Sequence, residues 1–490
     1  MKYDNLNILD LRKLLDNNEV NSKELFENSK DKALKLNDKY NNFVTILDEF
    51  KQEENKNSLL NGIPYALKDN YSTKEILTTA SSNILKDYIP PYDATVYKKL
   101  KDSGAILVGK TVLDELAMGG TGTTGHTGVV KNAWDETRMI GGSSAGSANA
   151  VALGIVPFAL GSDTGDSVRK PASYGGVVGF KPTYGRISRF GLFAFASSLD
   201  HVGIFARNVK DVALVADVLK GKDENDMTSL EDEDIKYFDC LENDIKGKKL
   251  FYIKEVVELE DSNDQTKKVI ENFKKVINKC RELGFVIEEV SIDKKILASI
   301  YPCYNIISCA EATSNNANLT GILYGPRSDK ENINDMIFDA RTKGFSEFIK
   351  RRFVIGSYVL QKENQEKLFL NACRIRSIIV EEINELFKKY DGYILPASGS
   401  VAPKFDEVDD KLSDKYLILE NHLQIGNFGG FPSITICSGF IDGLPIGVNI
   451  TGKTKNDYLV LNMAYQLEKA LGYHDIISDD KVIRGSDINV

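Results

Sequence analysis

The stretch GGSSAGSANAVALGIVPFALGSDTGDSVRKPAS, residues 141–173, decides the architecture. A glycine-serine loop runs into a helical pattern from Ala148 to Leu153. The apolar run Ile155-Val156-Pro157-Phe158-Ala159-Leu160 follows, and a second glycine-containing loop then turns into another helix. Short apolar runs alternating with helical patterns and glycine clusters are the texture of α/β folds.

Outward from this stretch the same texture extends from Gly62 to Gly191, where Ala105-Ile106-Leu107-Val108 is a further short apolar run. Downstream, Lys249-Leu250-Phe251-Tyr252-Ile253 predicts a strand and Asp264 to Leu283 an amphipathic helix. Phe285-Val286-Ile287-Glu288-Glu289-Val290 then predicts another strand, a β-α-β rhythm. Upstream, Ile8, Leu11, Leu14 and Leu15 recur at helical spacing in a segment running from Asn7 to about Asn42, and Ser22 before Lys23-Glu24-Leu25 predicts the N-cap of a second helix. Residues 221–246 are acidic and poorly periodic, which predicts a solvated connector; the spacing of a calcium-binding loop is absent. No repeat of fixed period is present, which sets aside solenoids and propellers.

With 490 residues, 42% of them hydrophobic and 27% charged, the chain has the composition of a soluble globular protein with a sizeable core. A net charge of -9 repels nucleic acid, so any RNA would be held by a partner. The six cysteines (Cys240, Cys280, Cys303, Cys309, Cys373, Cys437) form no CxxC pair, as in a reducing compartment. His126, His201, His422 and His474 lie far apart without metal-ligand spacing, so no metal is expected. The N-terminus lacks the apolar core of a signal peptide, and no run approaches the ~20 apolar residues of a membrane span. The expected location is the cytoplasm, with no membrane partner.

Three segments carry chemistry: Gly62-Ile63-Pro64-Tyr65-Ala66-Leu67-Lys68-Asp69-Asn70, residues 141–148 and residues 161–173. Each is ambiguous alone. The glycine-serine loop before a helix suits phosphate, but the Lys-Ser/Thr of a P-loop is missing. Asp163-Thr164-Gly165 suits an aspartic protease, but no second copy exists to share its proton. A triad of Ser167 with His126 or His201 has no spacing to recommend it. Taken singly, Lys68 reads as a surface lysine, and Ser143 and Ser147 as helix caps.

Jointly, the three segments resemble the amidase signature family over most of the chain. The separations from Lys68 to Ser143, 75 residues, and from Ser143 to Ser167, 24 residues, agree with that family. Within it, residues 177–192 and Phe195-Ala196-Ser197-Ser198-Leu199-Asp200 resemble the glutamine-hydrolysing subunits of tRNA-dependent amidotransferases. The resemblance implies one large α/β domain over residues 1–490 with a mixed central sheet flanked by helices. It divides into a helical N-terminal segment (1–60), a catalytic signature region (61–220), the acidic connector (221–246) and a remainder (247–490) holding substrate-pocket residues.

It further implies a mechanism. Ser167 attacks a carboxamide, while Ser143, on a cis peptide after Gly142, relays the proton to Lys68. A lysine serves as base only when neutral, which burial and nearby positive charge promote. The oxyanion would be held by backbone N–H groups around Thr164, Gly165 and Asp166. Tyr304, Arg352 and Glu420 would hold glutamine, Arg352 as a carboxylate fork and Glu420 at the α-ammonium. Each of these three reads alternatively as a member of a surface ion pair.

The implied assembly is a heterotrimer with amidotransferase subunits B and C. A partner subunit would bind the tRNA and use ATP and Mg2+, and this chain would carry no cofactor of its own. The alternatives are a stand-alone amidase and a mainly structural subunit. Two residues depart from the family's pattern. Asp166 stands where glycine is usual before the nucleophile, with its carboxylate expected to point outward, and Glu420 stands where aspartate is typical.

Overall fold

The computed structural model describes residues 3–231, 234–259, 262–407, 413 and 415–478. Among them run eleven strands: β1 (Phe43–Ile46), β2 (Pro64–Lys68), β3 (Ile106–Thr111), β4 (Phe158–Asp163), β5 (Val178–Lys181), β6 (His201–Ala206), β7 (Lys249–Ile253), β8 (Val286–Val290), β9 (Gly392–Pro396), β10 (Ser433–Ile441) and β11 (Leu444–Gly452). They form one sheet in the order β1-β3-β2-β4-β6-β5-β10-β11-β9-β7-β8. The sheet is mixed: β2 is parallel to β3 and to β4, whereas β6 is antiparallel to both β4 and β5. The β10–β11 hairpin closes at Asp442-Gly443, both with positive φ, the turn whose twist matches that of paired strands.

Both faces of the sheet are covered, which is why β2 to β6 are buried along their whole length rather than on alternate residues. Side chains still alternate between two cores. Phe158 and Leu160 of β4 pack with Leu67, Leu107 and Ile204, while Ala159 packs with Ala66, Val108 and Phe205. The first core takes the helices Val209–Leu219 and Asp457–Leu471, and the second the helix Ala145–Ala152.

Several local expectations shift. The second helix, Ser22–Tyr40, is capped one residue earlier than predicted, by Asn21 accepting from Glu24 N–H, and Ser22 is its first residue. Residues 1–60 are not wholly helical, because β1 pairs with β3 at one edge of the sheet. The run from Ile155 begins with a bend, and its strand starts at Phe158. The acidic connector is more than a solvated link. Asp223 accepts from the Thr95 and Ser188 hydroxyls, Asp226 accepts from Arg189 N–H, and Tyr237 and Leu241 are buried; residues 232–233 lie outside the described ones. Asn263 caps the helix Asp264–Glu282, which with β7 and β8 realises the predicted β-α-β unit.

The parallel pairing of β2 with β4 positions the site. Leu67 opposes Leu160, so Lys68 at the end of β2 lies beside Gly161 and Ser162, and the chain leaves β4 into the loop holding Ser167. Ligand sites in α/β sheets lie at such carboxyl strand ends.

Candidate active site

Lys68 is fully buried and ringed by hydroxyls. Its Nζ donates to Ser143 Oγ at 2.8 Å, Ser144 Oγ at 2.9 Å and Ser162 Oγ at 2.9 Å, and approaches the Ser162 carbonyl at 3.3 Å. Burial brings the ammonium down from 10.5 to about 7, although the Asp114, Asp163 and Asp200 carboxylates pull the other way. The expected help from a neighbouring cation is not what lowers it; loss of hydration is.

Ser143 lies at the turn into the helix Ala145–Ala152, whose N-cap is Ser144, and the Gly142–Ser143 peptide is cis. The Ser143 carbonyl accepts from Asp114 N–H at 3.1 Å. Asp114 in turn accepts from the N–H groups of Thr121, Gly122, Thr123 and Thr124 at 3.0 to 3.1 Å, so one buried carboxylate holds the loop that backs the serine. Neither Ser143 nor Ser147 caps a helix: Ser147 Oγ donates to the Leu160 carbonyl, tying the helix to β4. Gly161 passes so close that an added Cβ would lie 2.8 Å from Ser144 Oγ.

The Ser167 loop is fixed by ionic and polar ties. Arg169 donates from Nε and Nη2 to the two Asp163 oxygens at 3.1 and 3.0 Å and from Nη2 to the Gly165 carbonyl at 2.7 Å, while Val168 N–H donates to Asp163. Burial alone would raise the Asp163 carboxyl, but the Arg169 guanidinium holds it well below the usual carboxylate range. Thr164 Oγ1 donates to Asp200 at 2.6 Å, and burial lifts the Asp200 carboxyl to about 6. The backbone N–H groups of Thr164, Gly165, Asp166 and Ser167 donate to no acceptor among the described residues, which leaves a set of donors for an oxyanion. Ser167 is buried, its carbonyl accepts from Ser144 N–H at 3.3 Å, and its hydroxyl makes no hydrogen bond to Ser143 among the described residues. Of the contacts the expected relay needs, Lys68–Ser143 is made and Ser143–Ser167 is not made among the described residues.

The three substrate candidates have different surroundings. Tyr304 lies against the loop, where a Cβ on Gly165 would come within 2.9 Å of its ring. Arg352 stacks its guanidinium 4.9 Å from the Phe348 ring and 5.6 Å from the Phe195 ring; its Nε is buried without a hydrogen-bond partner, and no carboxylate pairs with it among the described residues. Glu420 is no surface residue. It is buried, with Oε1 accepting from Gly399 N–H at 3.0 Å and Oε2 3.3 Å from Lys170 Nζ. Lys170 also lies 3.2 Å from Asp166 Oδ2, so the Asp166 carboxylate is ion-paired and half-buried rather than turned outward to water.

Sequence reading missed Ser144, Ser162 and Asn70, whose Nδ2 donates to Ser162 Oγ. It also missed the Asp163–Arg169 pair and its bridge to Asn427 Oδ1, which accepts from Arg169 Nη2 at 2.6 Å. One signal was available: Ser162 and Asp163 are polar residues ending an otherwise apolar strand. His201 and His422 each place Nδ1 on a backbone carbonyl, and burial pushes both below the usual imidazole range, so each is neutral. Among the described residues no cluster of His, Cys, Asp and Glu could hold a metal ion, and no helix is long and apolar enough to cross a membrane.

Comparison with known proteins bears on this geometry. The Amidase family model matches residues 24–461. The A-subunit of the glutamyl-tRNA(Gln) amidotransferase of Halothermothrix orenii is 40% identical over 484 residues, covering 96% of this chain and 98% of the relative. The protein of the same name from Methanosarcina mazei is 42% identical over 445 residues, covering 89% and 91%. The crystal structure of the corresponding glutamyl-tRNA(Gln) amidotransferase protein from Thermotoga maritima superposes with a TM-score of 0.79 at 35% identity, over 95% of each chain.

Proposed function

Because the chain belongs to the amidase family, we propose that it is the glutamine-hydrolysing subunit of a tRNA-dependent amidotransferase. In this reading it releases ammonia, with which a partner subunit converts Glu-tRNA(Gln) to Gln-tRNA(Gln). The observation that carries the reading is the buried Lys68–Ser143 hydrogen bond set against a serine loop with unpartnered N–H groups. Relatives matched over almost their whole length and named as A-subunits of a glutamyl-tRNA(Gln) amidotransferase support the reading.

Neutral Lys68 accepts the Ser143 hydroxyl proton while Ser143 takes that of Ser167, and Ser167 Oγ bonds to the amide carbon. The N–H groups of Thr164, Gly165 and Asp166 hold the oxyanion. On collapse, the proton returns through Ser143 to the departing nitrogen and ammonia leaves. Water, deprotonated by the same relay, then cleaves the acyl-enzyme to glutamate. Arg352, a planar fork with no carboxylate partner among the described residues, takes the substrate carboxylate, and Tyr304 lies against the loop.

Subunits B and C would complete a heterotrimer in the cytoplasm, with ATP and Mg2+ used by the partner that binds the tRNA. The net charge of -9 supports that division of labour. Ammonia release from glutamine by the assembled complex is the test, wild type against Ser167→Ala. The expected result is a fall of at least about 10^3-fold; equal release from the two would remove the catalytic reading. Copurification with two further subunits tests the assembly.

A further inference from the structure

Two carboxylates and one ammonium meet beside the nucleophile. Lys170 Nζ lies 3.2 Å from Asp166 Oδ2 and 3.3 Å from Glu420 Oε2, and it donates to the Glu420 carbonyl at 2.6 Å. Since Gly399 N–H occupies Glu420 Oε1, both oxygens of that buried carboxylate are committed. Asp166 differs. Its Oδ1 has no hydrogen-bond partner among the described residues, and its side chain keeps 17% of its surface exposed. The triplet carries one net negative charge, and the uncommitted share of it resides on Asp166. A poorly hydrated carboxylate in this position calls for a second cation.

The placement says which cation. Asp166 immediately precedes Ser167, and the loop that carries it lies against Tyr304, where an added Cβ on Gly165 would come 3.0 Å from the Tyr304 hydroxyl. With Arg352 as the carboxylate-seeking guanidinium of the glutaminase reading, Asp166 supplies the ammonium-seeking carboxylate, and an α-amino acid presents a charge for each. We propose that Asp166, rather than Glu420, takes the α-ammonium of the substrate amino-acid amide, with Lys170 as a positioning residue that engages Glu420 and one Asp166 oxygen. This inference rests on the glutaminase reading. An aspartate beside an oxyanion would by itself oppose the developing charge, but the substrate's own ammonium compensates Asp166 in the complex where the oxyanion forms. Amides lacking that ammonium meet an uncompensated negative charge, so Asp166 selects for free amino-acid amides.

The test compares glutamine with glutaric acid monoamide, which keeps the amide and the carboxylate but lacks the α-ammonium, using the assembled complex. In Asp166→Asn, KM for glutamine should rise about 10- to 100-fold, the range for losing a charge-assisted hydrogen bond, while the monoamide is hydrolysed at least as well as by wild type. Asp166→Glu, which restores the charge, should recover most of the preference for glutamine. Equal losses for both substrates in Asp166→Asn overturn the proposal, as does collapse of the preference in Glu420→Gln but not in Asp166→Asn. A wild-type complex that releases no more ammonia than Ser167→Ala sinks the glutaminase reading and this inference with it. A wild-type complex active on glutamine, with the preference untouched in Asp166→Asn, sinks the inference alone.

Discussion

In the proposed relay the protonation state of Lys68 sets when proton transfer can start, and pH is the cleanest perturbation of it. Burial holds this amine at about 7 instead of 10.5. At pH 7.5 about three-quarters of the molecules then carry a neutral base, against about one in a thousand for an ordinary lysine, a gain of nearly three orders of magnitude. The proposed mechanism uses the neutral form, so kcat/KM for glutamine should rise with pH through about 7 and level off above about 8. The same burial opposes folding. The folded pKa lies below the unfolded one, so between about 7 and 10.5 the unfolded chain binds the extra proton and stability rises with pH; at neutral pH the penalty reaches about 4–5 kcal/mol. The assay is ammonia release by the assembled complex from pH 5.5 to 9.5, with Lys68→Arg alongside. An arginine is never neutral in this range, so that variant should lose at least about 100-fold. A profile flat from pH 6 to 9, or a Lys68→Arg enzyme within tenfold of wild type, would refute the reasoning.

Other consequences concern the supports of the site. Arg169→Met strands the buried Asp163 carboxylate and should destabilise the chain by about 3–5 kcal/mol in urea unfolding; a change below about 1 kcal/mol would show that Asp163 finds another partner. Gly165→Ala pushes a Cβ to 2.9 Å from the Tyr304 ring, so KM for glutamine should rise several-fold while stability falls by about 1–3 kcal/mol, measured by steady-state kinetics beside thermal melting. Arg352→Lys replaces a planar fork by a point charge and should raise KM about tenfold or more with kcat little changed; an unchanged KM would take Arg352 out of the substrate contact. Burial raises Asp211, which accepts from Ile8 N–H, to about 7. The folded state then holds a proton the unfolded chain has released, and stability falls as pH climbs from about 4 to 7. Asp211→Asn retains an acceptor and should melt higher than wild type at pH 8 but not at pH 4; equal melting at pH 8 would contradict this.

Parts of this molecule were legible before any coordinates. The helix Asp264–Glu282 and its flanking strands are visible as a 3.6-residue period between apolar runs, because each buries only one stripe or a short segment. The strand β1 is not. Its four residues lie in a helix-rich segment and owe their conformation to β3, more than sixty positions away. The capping Asn21 escaped in favour of Ser22 because both side chains suit an N-cap and only the hydrogen bond to Glu24 distinguishes them. In the site, Lys68, Ser143 and Ser167 stand out through the resemblance of their motifs and spacing to the amidase signature family. Ser144 and Ser162 become partners of Lys68 only through the β2–β4 register, which no local pattern announces.

Apolar periods and loop glycines are local properties and were enough to point to an α/β fold, whereas the lysine and two serines were read as an amidase relay only through their resemblance to a known family. Whether Lys68 is a base, whether Asp166 is bare or paired and which carboxylate is left for a ligand are not local. Hydration and ion pairing depend on separation in space, and Lys170 joins Asp166, four residues away in the chain, to Glu420, 250 residues away. Only the tertiary structure brings those charges within about 3 Å of one another and withdraws them from water, and that decides their strength.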